Sequence, residues 1–108
     1  MKIIITTHAV QRMHERAPEI PERNYEKIIQ LAHKRHDERE ANLFTEQIIM
    51  RNEGNSFPRA RVGQVPRACI LGEYIYICYE EGDTLYFVTV LKKKTVIEKN
   101  GFRIIHRG

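Results

Sequence analysis

The chain predicts an α+β fold, with two N-terminal helices packed on one face of an antiparallel β-sheet of four to six strands. Three observations carry this reading. Apolar residues recur at helical spacing through the first third of the chain, then give way after Leu43 to short runs rich in β-branched and aromatic residues. Turn signals, Gly72-Glu73 and Asn100-Gly101 among them, separate those runs at hairpin spacing. At 108 residues, with no repeat, linker or low-complexity stretch, the chain forms one domain over 1–108.

A short apolar run, Ile3-Ile4-Ile5, precedes the first helix, expected over about 8–16 with Thr7 as its N-cap and Pro18 ending it. Ala9, Val10, Met13 and Ala17 make its apolar stripe, and His8, Gln11 and Glu15 fall opposite. A second helix is expected over about 21–39, opening on Pro21 with Glu22 in its first turn. Tyr25, Ile28, Ile29 and Ala32 are its core positions, and the charged run from His33 to Glu40 reads as a solvated end.

Strands are expected from about 43 to 107. They begin with Leu43–Met50, followed by a Gly/Asn/Pro-containing loop through Pro66. Ala68–Leu71 and Tyr74–Tyr79 flank the Gly72-Glu73 turn. Glu80 to Asp83 turns the chain into Thr84–Leu91, and Thr95–Glu98 and Phe102–His106 flank Lys99-Asn100-Gly101.

Composition narrows the class. A hydrophobic content of 42% and a charged content of 30% are those of a globular protein rather than a disordered one. The apolar start is too short for a signal peptide, and no stretch nears the ~20 apolar residues of a membrane span, so a cytoplasmic protein without a membrane partner is expected. Cys69 and Cys78, in apolar surroundings, read as buried thiols of a reducing compartment.

Charge is placed unevenly. Residues 1–50 hold eight Lys/Arg and eight Asp/Glu, whereas residues 51–108 hold ten against six and supply the whole excess of +4. Arg59, Arg61 and Arg67 lie in an acid-free segment, and Lys92, Lys93 and Arg103 in a basic tail. These six are the candidate nucleic-acid-binding residues, on a surface suited to a polyanion or an acidic partner protein.

Metal and cofactor chemistry find little support. Five histidines are present, but no Cys-x-x-Cys or His-Glu-x-x-His spacing, no P-loop and no Gly-x-Gly-x-x-Gly. No metal site and no cofactor are expected. The chemistry-bearing stretch is instead Thr6-Thr7-His8-Ala9-Val10-Gln11-Arg12-Met13-His14-Glu15-Arg16. It sets His8 and Arg12 one helical turn apart, a proton-transfer group beside a fixed positive charge. Such a pair suits a phosphate, with His acting on an attacking or leaving oxygen and Arg holding the phosphoryl oxygens. RNA brings its own nucleophile, the 2′-hydroxyl, so His8, Arg12 and Arg16 with Thr89 or a late-strand cation could serve a metal-free ribonuclease.

The order Ile-Thr-Thr-His-Ala-x-x-Arg-Met-x-x-Arg, followed by a second helix and a strand such as Leu85-Tyr86-Phe87-Val88-Thr89-Val90, resembles the RelE-like toxin relatives. It is similar in particular to a bacterial and phage-borne group opening with the same His-Ala-x-x-Arg helix. That group is placed with the fold shared by barnase, EndoU, colicin nucleases and RelE. The resemblance implies a metal-independent ribonuclease of toxin type acting on RNA, with an antitoxin or immunity protein as partner. It marks His8 and Arg12 at the motif, Arg16 as its extension and Thr89 as the hydroxyl on a late strand. The rival expectation is a non-catalytic phage or mobile-element module that holds nucleic acid or an acidic protein through the same basic surface.

Overall fold

The computed structural model describes residues 1–35 and 62–94. Along the chain these form β1 (Lys2–Ile5), α1 (Thr7–Arg16), a 3₁₀ turn (Glu22–Asn24), α2 (Tyr25–Lys34), β2 (Val65–Leu71), β3 (Tyr74–Glu81) and β4 (Thr84–Lys92). The fold is α+β, with the four described strands in the order β1-β4-β3-β2. The expected strands at Leu43–Met50, Thr95–Glu98 and Phe102–His106, and the expected helix beyond Arg35, lie outside the described residues.

The sheet is mixed, which corrects the expectation of a purely antiparallel one. β2–β3 and β3–β4 are antiparallel hairpin pairs, but β1 runs parallel to β4, Ile3 beside Leu85 and Ile5 beside Phe87. A parallel pair needs a long crossover, and the chain between β1 and β4 provides one that includes both helices. The same pairing explains the unbroken Ile3-Ile4-Ile5 run. Ile3 and Ile5 pack against the helix-side core while Ile4 pairs with Tyr86, whose ring packs on the other face.

Both helices bury the stripes their spacing predicts. Ala9 and Met13 of α1, Ala17 just after it, and Tyr25, Ile29 and Ala32 of α2 are buried together with Cys69, Tyr76, Cys78, Leu85, Phe87 and Val90 from the sheet. Ala68, Ile75, Ile77, Tyr79 and Val88 form a second cluster, and the strand alternation places it on the opposite face. Two boundaries differ from expectation. The cap of α1 is Thr6 rather than Thr7, and α2 starts at Tyr25 because Pro21 leads into a 3₁₀ turn first.

One irregularity governs which face the end of β4 presents. Cys78 pairs with Phe87 and Ile77 with Thr89, so Val88 is an extra residue in β4. Odd-numbered Leu85 and Phe87 face the helices before the bulge, and even-numbered Val90 does so after it. The two tight hairpins turn on Gly72 and Gly82, at φ of 61° and 59°, where a side chain would be strained. No helix among the described residues is long and apolar enough to cross a membrane.

Candidate functional site

The predicted row on α1 forms. Arg12 donates through Nε to Nε2 of His8 at 3.4 Å, and through Nη1 to Oε2 of Glu15 at 2.8 Å. Positions 8, 12 and 15 thus make one line of imidazole, guanidinium and carboxylate along the helix. His8 and Arg12 are each half-buried, so the line lies at the boundary of core and solvent. With Arg12 donating to it, Nε2 of His8 carries the lone pair and the neutral ring holds its proton on Nδ1. That lone pair is turned to the guanidinium, and it becomes a proton acceptor when Arg12 releases it to bind another group.

Arg16 extends the row by a further turn. Its Nη1 donates to the Val90 carbonyl at 2.6 Å, which lays the last turn of α1 across the end of β4. Burial lowers the Arg16 pKa, the charge of Arg12 lowers it further, and Glu15 opposes both. Two like charges are therefore held a turn apart, with the Glu15 carboxylate bonded to Arg12 and acting on Arg16 only through its field. That arrangement favours an anion at the same place.

The other end of α1 is fixed by Thr6. Its hydroxyl accepts from the Ala9 amide at 3.2 Å and donates to the Phe87 carbonyl at 2.8 Å, and its own amide donates to the same carbonyl at 3.1 Å. The helix that carries His8 is thereby pinned to β4 at the residue before the bulge.

Beyond the C-terminus of α1 a second polar group assembles. The Tyr74 hydroxyl donates to the Glu19 carboxylate, and Lys92, which pairs across the hairpin with Tyr74, adds its field. The Tyr74 ring stands 6.2 Å from that of Tyr76, which in turn meets Phe87 edge-on at 5.8 Å. The bond from Tyr74 holds the Glu19 carboxyl below its ordinary range, and the carboxylate pushes Tyr74 up to about 12.

Other expected site residues lie elsewhere. Thr89 is buried, and its pairing with Ile77 puts it on the sheet face away from the helices, so the fold does not bring it together with His8 and Arg12. Arg67 is engaged by Glu80, Nε to Oε2 at 3.1 Å, on β2 two strands from β4. Lys93 follows β4, its amide bonded to the Glu73 carbonyl at 2.8 Å. Arg59, Arg61 and Arg103 lie outside the described residues. Cys69 and Cys78 are free and buried thiols. Among the described residues no group of three or more His, Cys, Asp or Glu side chains is placed to hold a metal ion.

Sequence reading missed Thr6, Glu15, Glu19 and Tyr74. Glu15 had a signal, since it stands three residues after Arg12 on the His8 side. The pairing of Glu19 with Tyr74 spans 55 positions and has none. No family model, no curated protein and no solved structure matches this chain.

Proposed function

We propose that the chain is a metal-independent endoribonuclease of toxin type, cleaving RNA by attack of the substrate's own 2′-hydroxyl. The observation that carries this is the pairing of Arg12 with His8, Nε to Nε2 at 3.4 Å, on an accessible helix face. Arg12 turns from His8 to the phosphate, and the freed Nε2 of His8 takes the 2′-hydroxyl proton. The 2′-oxygen then bonds to phosphorus, the 5′-oxygen leaves and takes a proton from water, and a 2′,3′-cyclic phosphate remains. Charge accumulates on the phosphoryl oxygens in that transition state, where the guanidiniums of Arg12 and Arg16 stabilise it. The resemblance of the opening helix to RelE-like proteins supports the same reading, with RNA as substrate and an antitoxin or immunity protein as partner. Thr89 has no part in this scheme.

The second reading is a non-catalytic module that holds RNA or an acidic protein. It draws on the internal engagement of the same cations, Arg12 with Glu15 and Arg16 with the Val90 carbonyl. Incubation with total RNA in a chelator, with and without ribosomes, separates the two. Products ending in 2′,3′-cyclic phosphate support the ribonuclease. RNA that is bound, salt-sensitively, but never cut in either arm supports the module.

A further inference from the structure

The two cations of α1 are held in different ways. Arg16 is tied to a backbone carbonyl of another element, that of Val90, so the packing of α1 on β4 sets its place. Arg12 bonds to side chains of its own helix, His8 a turn before it and Glu15 a turn after. Arg12 is therefore a cation that can change partner without disturbing the fold.

Its two bonds are unequal. Nε meets a neutral imidazole at 3.4 Å, a long contact, whereas Nη1 meets a carboxylate at 2.8 Å, the length of a charge-assisted bond. A phosphate arriving at Arg12 displaces His8 before it displaces Glu15. The Glu15 side chain is 59% exposed, and an exposed i,i+3 pair adds little to stability. What the pair does is decide which edge of the guanidinium stays open. A guanidinium grips a phosphate with two parallel N–H groups, either end-on from Nη1 and Nη2 or side-on from Nε and Nη2. Glu15 engages Nη1, so the end-on grip has one of its two donors taken. The side-on grip meets the weaker partner, and it draws the Nε–H away from His8.

We propose that Glu15 is a positioning residue, which holds Nη1 of Arg12 so that a phosphate binds at the Nε edge and releases the His8 imidazole. The inference rests on the ribonuclease reading for the use made of the freed nitrogen. It adds the carboxylate that couples phosphate capture to that release, acting through Arg12 and touching no reacting atom.

The test is titration of the full chain with inorganic phosphate, followed by the nitrogen NMR signals of the His8 imidazole. It is run at about pH 8, above the ordinary titration of a histidine, so that the ring starts neutral. In the wild type, phosphate should shift the Nε2 signal as the bond from Arg12 is lost. In Glu15→Ala, phosphate should still bind, as read from the backbone amides of α1, but leave the His8 signal in place. Glu15→Gln, which keeps an acceptor of the same length, should restore most of the wild-type response. With RNA as substrate, Glu15→Ala should lower kcat by roughly 10–100-fold, the cost of a misplaced group, and leave KM no higher. A His8 response equal in wild type and Glu15→Ala, no response in the wild type, or no recovery in Glu15→Gln overturns the proposal. The two readings fail separately. Release of His8 that depends on residue 15, in a protein that cuts no RNA, sinks the catalytic reading alone. RNA cleavage with equal release in wild type and Glu15→Ala sinks the positioning role alone.

Discussion

The Thr6 hydroxyl and the Phe87 carbonyl, 81 positions apart in the chain and 2.8 Å apart in space, join the start of α1 to the strand beneath it. The same hydroxyl caps the helix through the Ala9 amide, so one side chain both begins α1 and sets where it lies. Thr6→Val keeps the shape and removes both bonds. It should cost about 1–2 kcal/mol, the sum expected for a lost cap and a modest tertiary bond. Thr6→Ser should recover most of that in urea denaturation. Equal stability of wild type and Thr6→Val would show that the hydroxyl holds nothing.

Much of this was legible from the sequence where the signal is local. The stripe of Ala9, Met13 and Ala17, the Gly72-Glu73 turn and the alternation from Tyr74 to Tyr79 each follow from spacing and turn chemistry, and each forms. The parallel seat of β1 did not show, because three isoleucines in a row carry no period and four residues suffice for a strand at the end of the described sheet. The bulge at Val88 did not show either. Strict alternation along Thr84–Leu91 puts Phe87 and Thr89 on one face, whereas the extra residue turns Thr89 to the other. His8, Arg12 and Arg16 were visible because one helix carries them all. Glu19 and Tyr74 meet only through tertiary packing.

Ile77 reports on the sheet face away from the helices. It is 1% exposed, packs with Ile75 and Tyr79, and pairs with Thr89 at the bulge. Ile77→Ala should destabilise by ~2–5 kcal/mol through lost burial and the cavity left behind. A loss below about 1 kcal/mol in chemical denaturation would mean that this face is not a core.

Tyr25 points the other way. It is 1% exposed, and its hydroxyl is the one buried side-chain polar atom without a hydrogen-bond partner among the described residues. Removing that oxygen relieves a desolvated group while leaving the ring in place. Tyr25→Phe should therefore be neutral or stabilising by thermal melting. A loss on the order of 1 kcal/mol would reveal a partner for the hydroxyl.

The bond between Tyr74 and Glu19 predicts a linked titration. The Tyr74 hydroxyl is the main cause holding the Glu19 carboxyl below its usual value of about 4.3. A depressed carboxyl contributes stability that is present above the unfolded value and lost as pH falls through the folded one. The raised phenol behaves oppositely, contributing below about 10 and losing that contribution as pH climbs through about 12. In Tyr74→Phe the Glu19 carboxyl should move up towards its ordinary range, followed by carboxyl carbon shifts in NMR. An unmoved titration would contradict the bond.

The rate of RNA cleavage by His8→Ala relative to wild type, measured in chelator on protein whose melting is unchanged, tests the central claim most directly. If His8, released by Arg12, accepts the 2′-hydroxyl proton, the substitution should lower the rate by ~10²–10⁴-fold, the usual range for a positioned acid or base. Cleavage by His8→Ala at the wild-type rate would contradict it.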